Sequence, residues 1–191
     1  MKKTISLAAV LLAATTPAFA HPGHGAESFA AGVAHPLTGL DHIAVMVAVG
    51  LWAALKGGKA IWAWPLAFVG VMLVGGTLGM VHVPLPFVEP GILASVVALG
   101  LLVALAVDLP ISAGVAIISV FALLHGHAHG TEVPEDAAGL DYMAGFALAT
   151  AMLHLVGIAA GLASGLKYRA LARAAGAACA AIGVGLAFGA F

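Results

Sequence analysis

The 191-residue chain is 63% hydrophobic and only 8% charged, with a mean hydropathy of +1.14, so it has too few polar side chains to clothe a water-soluble globule. Seven basic and eight acidic residues leave a net charge of −1 and no basic run able to neutralise successive phosphates, which excludes nucleic acid as a partner. The class is an all-α integral membrane protein with the lipid bilayer as its solvent.

Residues 1–20 read as a secretory signal. Lys2 and Lys3 precede an apolar run from Ile5 to Ala14, and Ala18 and Ala20 fit a small-residue cleavage site after Ala20. An uncleaved first span is the rival reading. Residues 21–34 follow as a small periplasmic leader in which His21-Pro22-Gly23-His24 offers two imidazoles, either a loose capture arm or an inert stretch. A spanning helix needs about 20 mostly apolar residues. Six candidates appear, near 37–55, 60–81, 89–107, 110–127, 138–163 and 169–190, joined by short loops, so 35–191 is expected to be one bundle of about six transmembrane helices. Pro65 falls inside the second, where it can kink the helix, and Pro110 opens the fourth. Close glycine sets such as Gly75, Gly76 and Gly79, or Gly157 and Gly161, suit backbone-to-backbone helix packing. Cys179, the one cysteine, sits in an alanine- and glycine-rich run and reads as a small packing residue.

With the signal removed and six spans crossed, both termini are expected on the periplasmic side of a bacterial inner membrane. The positive-inside rule agrees: Lys56 and Lys59 fall in the loop after span one, and Lys167, Arg169 and Arg173 around the loop after span five, all on the cytoplasmic side. Glu89, Glu132, Glu135, Asp136 and Asp141 face outward by the same threading, leaving Asp108 inside.

Nine histidines are a heavy allotment for so apolar a chain, and by the same threading none lies in a cytoplasmic loop. Ionisable groups in or near spans are costly and tend to be functional, and neutral imidazole is a common ligand for zinc, copper and nickel. The first constellation is His35-Pro36-Leu37-Thr38-Gly39-Leu40-Asp41-His42. In a continuous helix His35 and His42, a heptad apart, would share a face; a bend permitted by Pro36 and Gly39 would instead fold His35 back toward Asp41 and His42. Asp41 is then either a ligand or the group that orients His42 through its other ring nitrogen. The second constellation is His125-Gly126-His127-Ala128-His129-Gly130-Thr131-Glu132 at the outer end of span four. His125 and His129, four apart, stack on one helix face and suit chelation of one ion, while His127 points elsewhere and Gly126 and Gly130 would let the helix unwind. His154 stands alone deep in span five, roughly 20 Å of helix rise from Asp141, as a relay point along a path. Gly139-Leu140-Asp141-Tyr142 echoes Gly39-Leu40-Asp41-His42 and places Asp141 at a depth similar to Asp41. His82 and Glu89, flanking the loop after span two, read equally as ligands or interface residues.

These motifs carry a resemblance. Over essentially its whole length the chain is similar to the HupE/UreJ family of small nickel or cobalt permeases, through a His-x5-Asp-His motif at His35, Asp41 and His42 and a His-Gly-x-Ala-His-Gly-x-Glu motif from His125 to Glu132. Leu124 stands where the family commonly has phenylalanine, a departure in packing rather than ligation. The resemblance implies a transport role for His35, Asp41, His42, His125, His129 and Glu132; for His127, Asp141 and His154 the argument is physical alone. It implies a divalent cation as cargo, nickel first and cobalt next, with zinc and copper also suited to these ligands, and an association with hydrogenase or urease maturation. Two other functions share the ingredients: a membrane-embedded zinc hydrolase, which lacks a general base between His125 and His129, and a metal sensor or donor working through His21 and His24. The sequence leaves a homo-oligomer open.

Overall fold

The computed structural model of the chain describes residues 25–133, 137–163 and 169–189. All regular structure among them is helical: α1 (Gly25–Thr38), α2 (Leu40–Lys56), α3 (Ala60–Met80), α4 (Val88–Ala104), α5 (Ile111–Thr131), α6 (Ala137–Ala163) and α7 (Arg169–Ala187). The six expected segments are all present as helices. By length and apolarity α3, α5, α6 and α7 each suffice to cross a bilayer, and α1 and α2, bent by 81° at their junction, pass the same test only as a pair. At 17 residues α4 is about 26 Å long, apolar but shorter than the rest, so the count of long spans falls below the six expected. The expected signal segment 1–20, with His21 and His24, lies outside the described residues.

The segment expected as a leader is instead helical from Gly25 onward. Its small residues let it lie directly on α6: a Cβ added at Gly32 would stand 2.0 Å from the Tyr142 carbonyl oxygen, and one at Gly145 would stand 2.2 Å from that of Phe29. A run too short to span can still bury one face against a neighbour, and that possibility is not visible in hydropathy alone.

The bend between α1 and α2 has a local cause. Pro36 lacks the N–H that would continue the helix ladder, Thr38 Oγ1 donates to the His35 carbonyl at 2.8 Å, and Gly39 is extended (φ −85°, ψ 121°). Gly57 and Gly58, at φ +75° and +55°, turn the chain at the far end of α2, where the Gly57 N–H closes on the Ala53 carbonyl.

Glycines then set the helix pairing. Gly75, Gly76 and Gly79 of α3 face Gly126 and Gly130 of α5 across a gap too narrow for a methyl group: a Cβ at Gly79 would meet the His127 carbonyl at 2.3 Å, and one at Gly130 the Gly76 carbonyl at 2.1 Å. Gly50 with Gly157 does the same between α2 and α6, and Gly100 with Gly176 between α4 and α7. In lipid no hydrophobic drive holds helices together, so close van der Waals contact between small-residue faces supplies the association. Cys179 is buried among them, its thiol toward the carbonyls of Ala44 and Val96.

The core is aromatic at the end bearing Lys56. Trp52 and Trp64 are fully buried with ring centroids 4.2 Å apart, and their indole N–H groups donate to the carbonyls of Val107 and Ile111 at 2.9 and 3.1 Å. Lys56 pairs with Asp108, and Arg173 Nε donates to the Ala104 carbonyl at 2.7 Å. Large apolar side chains such as Trp62, Leu66, Val120 and Leu171 are exposed on the outside of the bundle, where lipid is the solvent.

Candidate metal centre

At the opposite end, three helices contribute one histidine each. The α1–α2 bend brings His35 back over the start of α2, so that its ring lies 5.4 Å from that of His42, and the last turn of α5 sets the His129 ring 4.6 Å from His35 and 4.7 Å from His42. One ligand atom from each of the three lies within 4.8 Å of the others, with His42 and His129 buried and His35 half-buried. Of the two sequence alternatives for this segment, the structure adopts the bend.

His42 is the centre of the group. Its Nδ1 is 2.8 Å from Asp41 Oδ1 and its Nε2 is 2.6 Å from His129 Nε2. A carboxylate accepts, so the Nδ1 proton of His42 points at Asp41 and its Nε2 presents a lone pair to the Nε2–H of His129. Gly39 makes this possible, because a Cβ there would lie 2.4 Å from His42 Nδ1 and 2.8 Å from Asp41 Oδ1. Asp41 therefore orients His42 and does not belong to the converging trio. The other nitrogen of His129, Nδ1, is 3.5 Å from Glu132 Oε2, close enough for attraction and too long for a normal hydrogen bond. The His129 ring holds the Glu132 carboxyl below its ordinary range, overcoming the opposing effect of partial burial.

His125 stands one turn further in. Its ring is 5.8 Å from that of His42, Nδ1 donates to the Phe121 carbonyl at 3.0 Å, and Nε2 has no protein partner although the residue is fully buried. By spacing His125 and His129 could chelate one ion; among the described residues the converging group takes His129 with His35 and His42, and His125 stands outside it. Gly126 and Gly130 do not unwind the helix. α5 stays regular through Thr131, since both glycines are spent on contact with α3.

His127 points away, as its spacing requires, and donates Nε2–H to the Val83 carbonyl at 2.7 Å, tying α5 to the loop before α4. We expect His127→Asn to keep metal binding and uptake within about threefold of wild type, since hydrogen bonds of this kind contribute about 1 kcal/mol to stability and no ligand is lost. A tenfold fall in cation affinity by equilibrium dialysis would place His127 in the centre after all. Asp141 lies on the first turns of α6 and half-buried, outside the trio; its neighbour Tyr142 is the residue that touches His35, at 6.0 Å between rings. His82 and Glu89 are exposed at the two ends of the α3–α4 connection and likewise outside it.

Two aromatic residues unforeseen from the sequence complete the site. Phe146 of α6 covers the trio, with its ring 4.6 Å from His129, 5.9 Å from His35 and 6.0 Å from His42. Its spacing of four from Tyr142 was the available signal, since both project from one face of α6 toward His35. Phe68 of α3 lies 5.8 Å from His125 and 5.1 Å from His154 between ring centroids. His154 is 1% exposed and neither ring nitrogen has a protein partner. Nothing in the local sequence of α3 marks Phe68 among its apolar neighbours.

Comparison with known proteins matches the family described as HupE / UreJ protein over residues 8–186. The chain is 47% identical over 191 residues to Protein HupE of Rhizobium leguminosarum bv. viciae, with 98% of each chain covered. No solved structure matches.

Proposed function

Because the chain belongs to the HupE/UreJ family, we propose that it is a permease that takes up a divalent transition metal ion, nickel before cobalt, across the bacterial inner membrane. The family is of transporter type and supports a nickel or cobalt transport-related role. One observation carries the reading for this chain: imidazoles from α1, α2 and α5 converge within 4.8 Å inside an apolar bundle, where such groups are costly unless they act on a polar cargo.

The chemistry follows from the hydrogen bonds. A metal–nitrogen bond of about 2.0–2.1 Å requires two ligating nitrogens on one ion to stand about 2.9–3.3 Å apart. The 2.6 Å contact between His42 and His129 is a proton-sharing arrangement that a cation replaces by spreading the rings a few tenths of an ångström. His42 already offers its lone pair. His129 presents its Nε2 lone pair to the ion when its one ring proton sits instead on Nδ1, facing Glu132. Asp41 and Glu132 together bring two negative charges beside a doubly charged ion, which limits the cost of moving it out of water. Imidazole nitrogen with carboxylate behind it favours nickel, cobalt, zinc or copper over magnesium or calcium.

Inward passage from the trio runs by way of His125, whose buried Nε2 has no hydrogen-bond partner in the protein. On the proposed topology, Glu132 is periplasmic and Lys56 cytoplasmic, so the interior-negative membrane potential drives cation entry by about 2.3 kcal/mol per charge per 100 mV, roughly twice that for a divalent ion.

The test is radiolabelled nickel uptake into proteoliposomes containing the purified protein, with cobalt, zinc and copper as competitors. Saturable uptake suppressed first by cobalt is expected. Tightly held zinc with hydrolytic turnover and no uptake would overturn the permease in favour of a membrane metallohydrolase, for which three histidines and a carboxylate also suffice.

A further inference from the structure

His154 is used by no feature of the outer trio, yet it is among the most deeply buried residues of the protein. A buried imidazole whose two nitrogens both lack a protein partner is an exception to the rule that interior polar groups are satisfied, and exceptions of this kind mark functional positions. Its place is well defined. The α6 backbone at His154 is pressed against α2, so closely that a Cβ on Gly50 would stand 2.2 Å from the His154 carbonyl oxygen. One turn earlier on the same face of α6, Thr150 is fully buried and its hydroxyl donates to the Met72 thioether of α3 at 3.7 Å. Polar and soft donors therefore gather on α6 and α3 within a largely apolar core.

The ring of Phe68 packs against both this place and the outer histidines, 5.1 Å from His154 and 5.8 Å from His125. Phe146, which covers the trio, lies eight residues before His154 on the same helix, about 12 Å of rise.

We propose that His154 is the anchor of a second metal site, deeper than the His35–His42–His129 centre and packed against Phe68, at which the same divalent cation rests in transit. With one imidazole and the Thr150 hydroxyl and Met72 thioether one turn away, this site holds its ion more weakly than the trio does, as the inner station of a path must if the ion is to move on. The transit role rests on the permease reading; the site itself does not.

The experiment separates the two. Equilibrium dialysis of radiolabelled nickel against the whole protein in nanodiscs should show two ions per chain, the weaker with a Kd at least tenfold above the tighter. His154→Leu should leave the tight ion and remove the weak one. Leucine is chosen because replacing an unpaired buried polar group by an apolar one of similar size tends to be neutral or stabilising, so the variant should keep or raise its thermal midpoint; His154→Ala serves as a second removal of the ring. In proteoliposomes, uptake by either variant should fall at least tenfold although tight binding persists. A wild-type protein that saturates at one ion, or a leucine variant that still binds two, would overturn the inner site; unchanged uptake by both variants would overturn its transit role. Two ions bound by wild type, the weaker lost in both variants, with no uptake by any form would confirm the inner site and sink the permease.

Discussion

Proteoliposomes carrying His42→Ala are expected to accumulate nickel no faster than empty liposomes, while the protein inserts at wild-type abundance. His42 is the hub of the centre: its Nε2 meets His129 at 2.6 Å, its Nδ1 meets Asp41 at 2.8 Å, and the rings of His35 and His125 lie 5.4 and 5.8 Å away. Losing a group that merely supports a ligand costs about 10- to 100-fold in metal affinity, so loss of the central ligand itself should exceed roughly 100-fold. Alanine is the best helix former and creates no polar orphan of its own, so α2 should persist. The binding and uptake arms must move together. Wild-type uptake in this variant would remove the trio from the transport path.

The second large effect is expected far from any ligand atom. Gly126→Ala places a methyl carbon 1.9 Å from the Met72 carbonyl oxygen and 2.9 Å from the Gly76 nitrogen, both backbone atoms that no side-chain rotation can move aside. Helices α3 and α5 must separate, at a cost of about 1–3 kcal/mol or more. The separation also shifts His125 and His129, which flank position 126 on α5, away from His42 and Phe68. Thermal unfolding monitored by size-exclusion in detergent should show a clear drop in midpoint, and nickel affinity should fall with it. Gly70→Ala is the matched control: it lies on α3, nothing stands within 4 Å of its added methyl, and the backbone entropy it removes should leave the midpoint unchanged or raised by up to about 1 kcal/mol of stability. Equal behaviour of the two variants would mean that the α3–α5 contact is not the close backbone packing described.

Much of this architecture could be read from the residues because the bilayer leaves few alternatives. Apolar runs bounded by short polar loops can only be helices there, and the six expected segments match α2 to α7. The glycine sets declared themselves by spacing, and they do bring helix backbones together. What spacing did not reveal was the partner of each face: Gly126 and Gly130 read as sites of unwinding, whereas α3 presses against them and keeps α5 regular to Thr131. Nor did spacing reveal that residues from Gly25 onward form a helix packed on α6.

The sequence by itself determined the class of protein, the helical segments, and the candidate donors, because hydropathy and side-chain chemistry are local properties. His35, Asp41, His42, His125, His129 and Glu132 were all legible as candidates from motif spacing along two separate segments. The tertiary structure alone decided which of them meet. An 81° bend at Gly39 and glycine-to-glycine contact between helices brought His129, rather than His125, together with His35 and His42, placed Asp41 and Glu132 beside the ring nitrogens of His42 and His129, and set Phe68 against both His125 and His154. Those outcomes depend on contacts between residues dozens of positions apart, fixed by how closely backbones can approach, and no local pattern encodes that distance.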